Sequence, residues 1–161
     1  MLLEEFSEYR KKIIKALCSD KEIVRYITDD ENPVLPNRDL IYKNIFPYAY
    51  KPDVSKKADT YVCFSLGVDS VDGKTYKTIS LVFYVFTYQG IIRTEDGLRP
   101  DLLAQAIDRM FNGNLELGLG RVKLVSVDDI SPATNYHGVM IEYAVDEYNR
   151  PSIHGDKGRG F

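Results

Sequence analysis

Apolar side chains recur at three- and four-residue spacing near the start of the chain, which predicts amphipathic helices. The first helix is predicted over residues 2–18, where Glu8 comes early and Lys15 late, in the charge order that the helix dipole favours. A short second helix is predicted over residues 19–27, with Ser19 as its N-cap.

The same periodicity returns in a helix that is predicted to begin at Arg99-Pro100-Asp101. Proline is favoured at the first helical position, and an acidic residue suits the positive end of the helix dipole. Asn112-Gly113 is predicted to end this helix. Its apolar stripe consists of Leu102, Leu103, Ala106, Ile107, Met110 and Phe111.

Alternating patterns predict strands in the middle of the chain. Residues 59–69 alternate between apolar and polar side chains, and Asp72-Gly73 is a strong hairpin signal before a partner strand over residues 75–88. That partner strand is apolar on both faces, so we expect it to be central and covered on both sides, by helices or by a neighbouring subunit. Residues 40–50 contain Pro47 and predict at most an edge strand.

Two further strands are predicted over residues 121–127 and 139–148, joined by a loop at 130–138. Residues 28–39 and 88–97 are polar and are predicted to be loops. Together these elements predict an α+β fold, with a mostly antiparallel sheet, flanking helices, and the order helix, edge segment, β-hairpin, helix, two strands. We expect one α+β domain over residues 1–149, followed by a flexible, glycine-rich tail over 150–161.

Composition narrows the classes of function. The chain has 161 residues, a formal net charge of -3 and a pI of about 5.4, which disfavours a general nucleic-acid binder. Cys18 and Cys63 lie on different predicted elements and are expected to be buried free thiols, as in a reducing cytoplasm. The first residues do not resemble a signal peptide, and no apolar stretch is long enough to span a bilayer, so no membrane partner is expected.

The motifs of catalysis and cofactor binding are weak in this sequence. Gly118-Leu119-Gly120 does not have the third glycine of a dinucleotide loop and is read as a turn. His137 and His154 lie far apart, and the acidic pairs do not have the spacing of a metal or calcium site. We therefore expect no catalytic, cofactor-binding or metal-binding residues and no enzymatic activity.

Tyrosine is frequent, with twelve residues that lie mostly on or near predicted strands. Strand propensity and core filling account for most of them. Because tyrosine is also enriched at protein interfaces, several are expected to contact partner chains.

Four stretches, taken in order, resemble the tail terminator proteins of long-tailed bacteriophages and phage-tail-like particles, also called tail completion or tail-to-head joining proteins. The first two are the segment Ile45-Phe46-Pro47-Tyr48 and the strand Thr60 to Val68. The third is Gly97-Leu98-Arg99-Pro100-Asp101-Leu102-Leu103-Ala104 with Ile107-Asp108, and the fourth runs from Gly118-Leu119-Gly120-Arg121 to Tyr136-His137-Gly138 and Tyr143. The resemblance covers residues 2–149 and lies in the order of the elements rather than in one diagnostic motif.

This resemblance implies a structural virion protein without catalysis. Members fold as a small α+β domain and close into a ring, typically six-fold, on the end of the tail tube. The ring stops tube polymerisation and presents the surface that joins the neck and head. The implied partners are copies of the same chain, the tail-tube protein, a neck or head-completion protein and, in a contractile tail, the sheath. DNA only passes through the lumen, and the expected locations are the host cytoplasm during assembly and then the virion tail.

A ring needs two different contact patches on each subunit. The polar segments 88–97 and 130–138 and the tail 150–161 are the predicted contact regions, and substituting Tyr88 or deleting the tail is expected to weaken assembly. The candidate interface residues are Tyr88, Arg93, Glu95, Asp96, Arg99, Tyr136, His137, Arg150, Lys157 and Arg159. The alternatives are another neck component (a head-closure protein or connector adaptor), a cytoplasmic binding module, or a small hydrolase or nuclease.

Overall fold

A computed structural model describes residues 3–72, 76–115 and 120–148 of the chain. The predicted tail over 150–161 and the turn after Asp72 lie outside these residues. No helix in the described ranges is long and apolar enough to cross a membrane.

The N-terminal part of the chain forms two consecutive helices, as predicted. After a 3₁₀ turn at Leu3–Glu5, α1 spans Phe6–Ser19 and α2 spans Lys21–Thr28. The N-cap of α2 is Asp20 and not the predicted Ser19, because the Asp20 side chain accepts a hydrogen bond of 3.0 Å from the backbone N–H of Ile23.

Five strands form one mixed sheet, which confirms the predicted α+β class. They are β1 (Ile45–Phe46), β2 (Thr60–Asp72), β3 (Tyr76–Tyr88), β6 (Lys123–Ala133) and β7 (Tyr136–Tyr148). Their order is β1-β2-β3-β7-β6, with β1 parallel to β2 and every other pair antiparallel. A separate two-stranded ribbon consists of β4 (Arg93–Thr94) and β5 (Gly97–Leu98).

The predicted central hairpin is present. β2 and β3 pair along their whole length, from Thr60 opposite Thr87 to Asp72 opposite Tyr76. β3 is the middle strand of the five, as its apolar character on both faces predicts. The short β1 is an edge strand, as the proline in the next position predicts.

Helix α3 spans Arg99–Phe111 and agrees with the sequence prediction at both ends. Pro100 lies in its first turn, and Asn112 is its C-cap. Gly113 follows with a φ of 77°, a left-handed conformation that glycine adopts without strain. α3 packs against α2, β3 and β7.

The main core lies between the helices and one face of the sheet. Every second residue of β2, β3 and β7 contributes to it, and both cysteines are buried free thiols, as predicted. The fully buried members include Ile13, Leu17, Ile23, Phe64, Phe83, Leu103, Ile107 and Phe111. The other face, which no helix of the described ranges covers, carries a smaller cluster of Phe46, Tyr61, Cys63, Phe86 and Tyr136 at one end.

The predicted loop at 130–138 is instead part of a long hairpin. β6 continues to Ala133 and β7 begins at Tyr136, so only Thr134 and Asn135 form the turn. The sequence Ser131-Pro132 is tolerated because β6 is an edge strand, and its register shifts between Ile130 and Ala133. Asn135 adopts a φ of 63°, which suits a tight turn.

Candidate assembly surface

The predicted contact segment 88–97 is ordered by backbone pairing. A 3₁₀ turn over Gln89–Ile91 follows β3, and the β4–β5 ribbon follows the turn. The Thr94 hydroxyl donates a 2.7 Å hydrogen bond to the Gly97 carbonyl, which closes the ribbon. The segment is therefore a small hairpin on a rigid base rather than an open loop.

Arg99 holds this hairpin to helix α2. Its side chain is buried, and its guanidinium donates to the carbonyls of Ile91 at 3.1 Å and Tyr26 at 2.6 Å and to a carboxylate oxygen of Asp29 at 2.7 Å. The Tyr26 carbonyl lies in the last turn of α2, where a cation also complements the helix dipole. Arg99 thus acts inside the subunit, which does not fit the surface contact predicted for it.

A charged cleft of about 550 Å³ lies between α2 and the β4–β5 ribbon. Asp96 lines it and is held by α2, with its carboxylate 3.6 Å from the Arg25 guanidinium and 3.4 Å from the Tyr26 hydroxyl. Arg93 and Glu95 also line the cleft and are exposed. Cationic and anionic side chains both line the cleft, and such mixed charge suits a charged protein partner better than a phosphate backbone.

The second predicted contact segment lies beside the first one. The backbone N–H of Gln89 donates a 2.8 Å hydrogen bond to the carbonyl of Asn135 in the β6–β7 turn. Tyr88 pairs with Tyr136 in the sheet, and their ring centroids are 5.7 Å apart in an edge-to-face arrangement. Both segments therefore belong to one end of the sheet, and we call the exposed side chains of residues 88–98 and 130–138 the end surface.

A groove of about 300 Å³ runs between the two halves of the end surface. Its lining includes the apolar side chains of Ile92 and Ile130 and the polar side chains of Asp129 and His137. The His137 Nδ1 atom is 3.1 Å from the Ser131 hydroxyl, and both side chains are exposed. Within the described residues no hydrogen bond or ion pair joins His137 to a carboxylate, so this pair does not have the third member of a relay.

Tyr136 lies in the aromatic cluster behind the end surface and not on it. It is 1% exposed, and burial raises its pKa. Its ring centroid is 6.0 Å from that of Tyr61, whose pKa is raised mainly by burial and then by the neighbouring Tyr136. Tyr136 therefore supports the surface from inside, which does not fit the direct contact predicted for it.

The structure brings together most of the predicted interface residues that it describes. Arg93, Glu95, Asp96 and His137 are exposed on the end surface, and Tyr88 is half-buried at its base. Arg99 and Tyr136 are buried beneath it. The remaining three predicted residues, Arg150, Lys157 and Arg159, lie outside the described residues.

Strand β6 carries surface features that the sequence interpretation missed. Leu124, Val125 and Val127 are 43%, 55% and 54% exposed on this edge strand. Their apolar character predicts a buried strand, and only the strand order shows that β6 has one neighbour. In the described part of the chain no group of three or more histidine, cysteine or acidic side chains is placed to hold a metal ion.

Comparison with known proteins places the chain in a family. Residues 11–145 match the YomW family, and this range covers most of the chain and at least part of each main element of the fold. A comparison with curated proteins finds no match. The chain therefore belongs to the YomW family, a phage-derived family, and is a phage protein.

Proposed function

We propose that this protein is a tail terminator, which caps the end of the phage tail tube as a ring, stops tube polymerisation and provides the surface for joining to the neck and head. The observation that carries the proposal is the end surface, where two separate segments of the chain meet and present exposed charges on a rigid frame. Its phage-derived family is consistent with a virion component.

The chemistry of the end surface favours a protein partner. Beside the end surface, the cleft is lined by the cationic side chains of Arg25 and Arg93 and by the acidic side chains of Asp29, Glu31, Glu95 and Asp96. A surface of mixed charge gives orientation and selectivity at a protein interface, whereas a phosphate backbone requires an excess of cations. The net charge of -3 agrees with DNA that only passes through the ring.

In this proposal the ring consists of copies of the chain, six in the family that the sequence resembles. The end surface binds the last layer of the tail-tube protein. Another surface binds a neck or head-completion protein and, in a contractile tail, the sheath. Assembly takes place in the host cytoplasm, and the protein then stays in the virion tail without a cofactor or a catalytic step.

The test is a tube-capping experiment. The purified protein is mixed with its polymerising tail-tube protein, and tube lengths and end caps are measured by negative-stain electron microscopy. The wild type is expected to cap the ends and shorten the tubes. The double variant Arg93→Glu with Glu95→Arg reverses the local charge order and is expected to leave the ends uncapped, whereas the control Lys56→Glu in the exposed 53–56 turn still caps.

The outcomes separate the candidate functions. Tubes that grow without caps in the presence of the wild type contradict the terminator role. Binding to the portal complex instead of the tube identifies another neck component, a head-closure protein or connector adaptor. Normal capping by the double variant keeps the function and excludes the end surface as the tube contact.

A further inference from the structure

β6 is an open edge of the sheet with an apolar surface. It pairs only with β7 among the described strands, so the other side of its backbone has no strand partner within the described ranges. Leu124 and Val127 lie opposite Tyr143 and Ile141 of β7, which places them on the helix-covered face of the sheet. They are nevertheless exposed, because α3 packs mainly over β3 and β7.

An acidic pair follows the apolar positions on this strand. Asp128 and Asp129 are both exposed, and Asp129 lies opposite Val139, on the same face as Leu124 and Val127. Exposed apolar side chains on an unpaired edge strand are a known liability for self-association. The β6 edge, defined here by residues 124–129, is thus apolar at one end and acidic at the other.

The opposite side of the molecule carries a groove of complementary chemistry. It measures about 530 Å³ and is lined by Lys11, Ile14, Lys15, Pro36, Arg38 and Ile41. Ile41 forms a bridge to Ile45 of β1, so this α1 groove lies along the edge of the sheet farthest from β6. Its walls are apolar and its cationic side chains are exposed.

Two of these cations are available for a partner. Lys11 already contacts Glu8, at 3.0 Å. Lys15 and Arg38 form no ion pair within the described part of the chain. An occupant of the groove should therefore combine apolar side chains with nearby carboxylates, and the β6 edge has both.

We propose that the occupant of the α1 groove is the β6 edge of a second copy of this chain. Leu124, Val125 and Val127 would cover the apolar walls, and Asp128 and Asp129 would face Lys15 and Arg38. Because the two surfaces are different and lie on opposite edges of the sheet, the contact is heterologous and repeats from copy to copy. The inference rests on the proposed function in one respect, since this contact closes the proposed ring.

A symmetric pairing of two β6 edges is disfavoured by charge. It would place the acidic pair of one copy near the acidic pair of the other, and like charges that face each other across an interface weaken it. The head-to-tail contact instead places that pair against cations. The two arrangements therefore predict different responses to charge reversal.

The experiment uses two charge-reversed proteins in sedimentation velocity. The edge variant carries Asp128→Lys and Asp129→Lys, and the groove variant carries Lys15→Glu and Arg38→Glu. Each variant alone is expected to associate at least about tenfold more weakly than the wild type, because like charges then meet in every contact. An equimolar mixture is expected to assemble again in an alternating ring, because the reversed edge of the edge variant matches the reversed groove of the groove variant. The native acidic edge of the groove variant likewise matches the native cationic groove of the edge variant.

Matched controls and outcomes make the test decisive. Two control proteins make the same charge changes at exposed sites outside both surfaces, and they should assemble like the wild type. One control carries Asp53→Lys and Asp69→Lys, and the other carries Lys56→Glu and Lys57→Glu. Any of three results overturns the proposed contact: the wild type stays monomeric, the variants assemble normally, or the mixture stays dissociated. Normal assembly of the groove variant alone identifies symmetric β6 pairing.

The test separates this inference from the proposed function. If the wild type forms rings and the mixture rescues assembly, the contact holds even where those rings do not cap tubes, and only the terminator role fails. If the wild type caps tubes but charge reversal leaves its rings intact, the function stands and the rings use another contact.

Discussion

At the scale of single residues, Gly138 shows how closely the strands of this sheet approach each other. It lies on β7 opposite Phe86 of β3, and a Cβ atom added to it would lie 1.8 Å from the Val85 carbonyl oxygen and 2.6 Å from the Phe86 Cα atom. We predict that Gly138→Ala lowers the free energy of unfolding by about 3 kcal/mol, because backbone atoms of β3 must move. Urea denaturation followed by circular dichroism measures the change.

The control for this prediction is Gly67→Ala on β2, in the same sheet. An added Cβ atom there meets no heavy atom within 4 Å, so the substitution should be neutral or stabilise by up to about 1 kcal/mol. Equal effects at Gly138 and Gly67 would show that the close contact between β3 and β7 does not determine stability.

Burial inside the subunit is a property of single residues that a local sequence pattern does not reveal. Arg99 and Tyr136 are candidate interface residues by sequence, and both side chains are buried in the subunit. Arg99 is 5% exposed because three intramolecular oxygen acceptors satisfy its guanidinium. Those acceptors come from distant parts of the chain, at Tyr26, Asp29 and Ile91, so no local pattern could reveal the burial.

At the scale of elements, Arg99 joins helix α2 to the segment that carries the end surface. We predict that Arg99→Met lowers the free energy of unfolding by about 2–4 kcal/mol, because it leaves the Tyr26 and Ile91 carbonyls without their donor. Amide hydrogen exchange should also become faster in β4 and β5, which this side chain positions. Urea denaturation and hydrogen exchange with mass spectrometry measure the two effects.

The matched substitution is Asp29→Asn, which changes the ionic partner only. The Asp29 side chain is 72% exposed, so the ion pair itself should contribute less than about 1 kcal/mol. A loss as large as that of Arg99→Met would mean that the salt bridge dominates and that the two backbone contacts are minor.

The sequence predicts an element well where residues next to its ends mark where it begins and stops. It predicts an element poorly where the bounds depend on which strands pair with it. α3 begins near Pro100 and ends at Asn112 as predicted, because helix caps are encoded in a few adjacent residues. The β6–β7 hairpin was predicted as two short strands, because Pro132 and Gly138 are typical of a loop. Pro132 is tolerated on an edge strand and Gly138 is required at a close approach, and both reasons depend on strand order.

At the scale of the whole molecule, the sheet order places three surfaces, of which the β6 edge and the end surface adjoin each other at Asp129 and Ile130. β6 and the α1 groove lie at opposite edges, and the end surface lies where β3 and β7 meet the β4–β5 ribbon. The element order was predictable, but the insertion of β7 between β3 and β6 and the parallel β1 were not, since sequence patterns do not encode pairing partners. The candidate assembly surfaces follow from this order, so sequence reasoning found only part of them.

Burial of ionisable groups across both faces of the sheet gives the whole molecule a defined response to pH. Burial raises the pKa of the Cys63 thiol from its ordinary value of 9.0 to about 12. Burial also raises the pKa of Tyr143, and so does the 2.8 Å hydrogen bond that its hydroxyl donates to Asp108. Both groups hold their protons more tightly in the folded protein than in the unfolded chain.

The sign of the effect follows from this difference. Their contribution to stability is complete below the pKa values of the unfolded chain and is lost as the pH rises above them, because the unfolded chain then releases protons that the folded protein keeps. We predict that the free energy of unfolding falls between about pH 9 and about pH 11, by up to about 1.4 kcal/mol per pH unit for each group. Urea denaturation at several pH values measures the slope of the free energy of unfolding against pH.

The variant Tyr143→Phe should reduce this slope. Its control Tyr48→Phe, which removes a phenol that is 49% exposed, should not. A free energy of unfolding that stays constant up to about pH 11 would show that the pKa values of the buried hydroxyl and thiol do not differ between the folded protein and the unfolded chain.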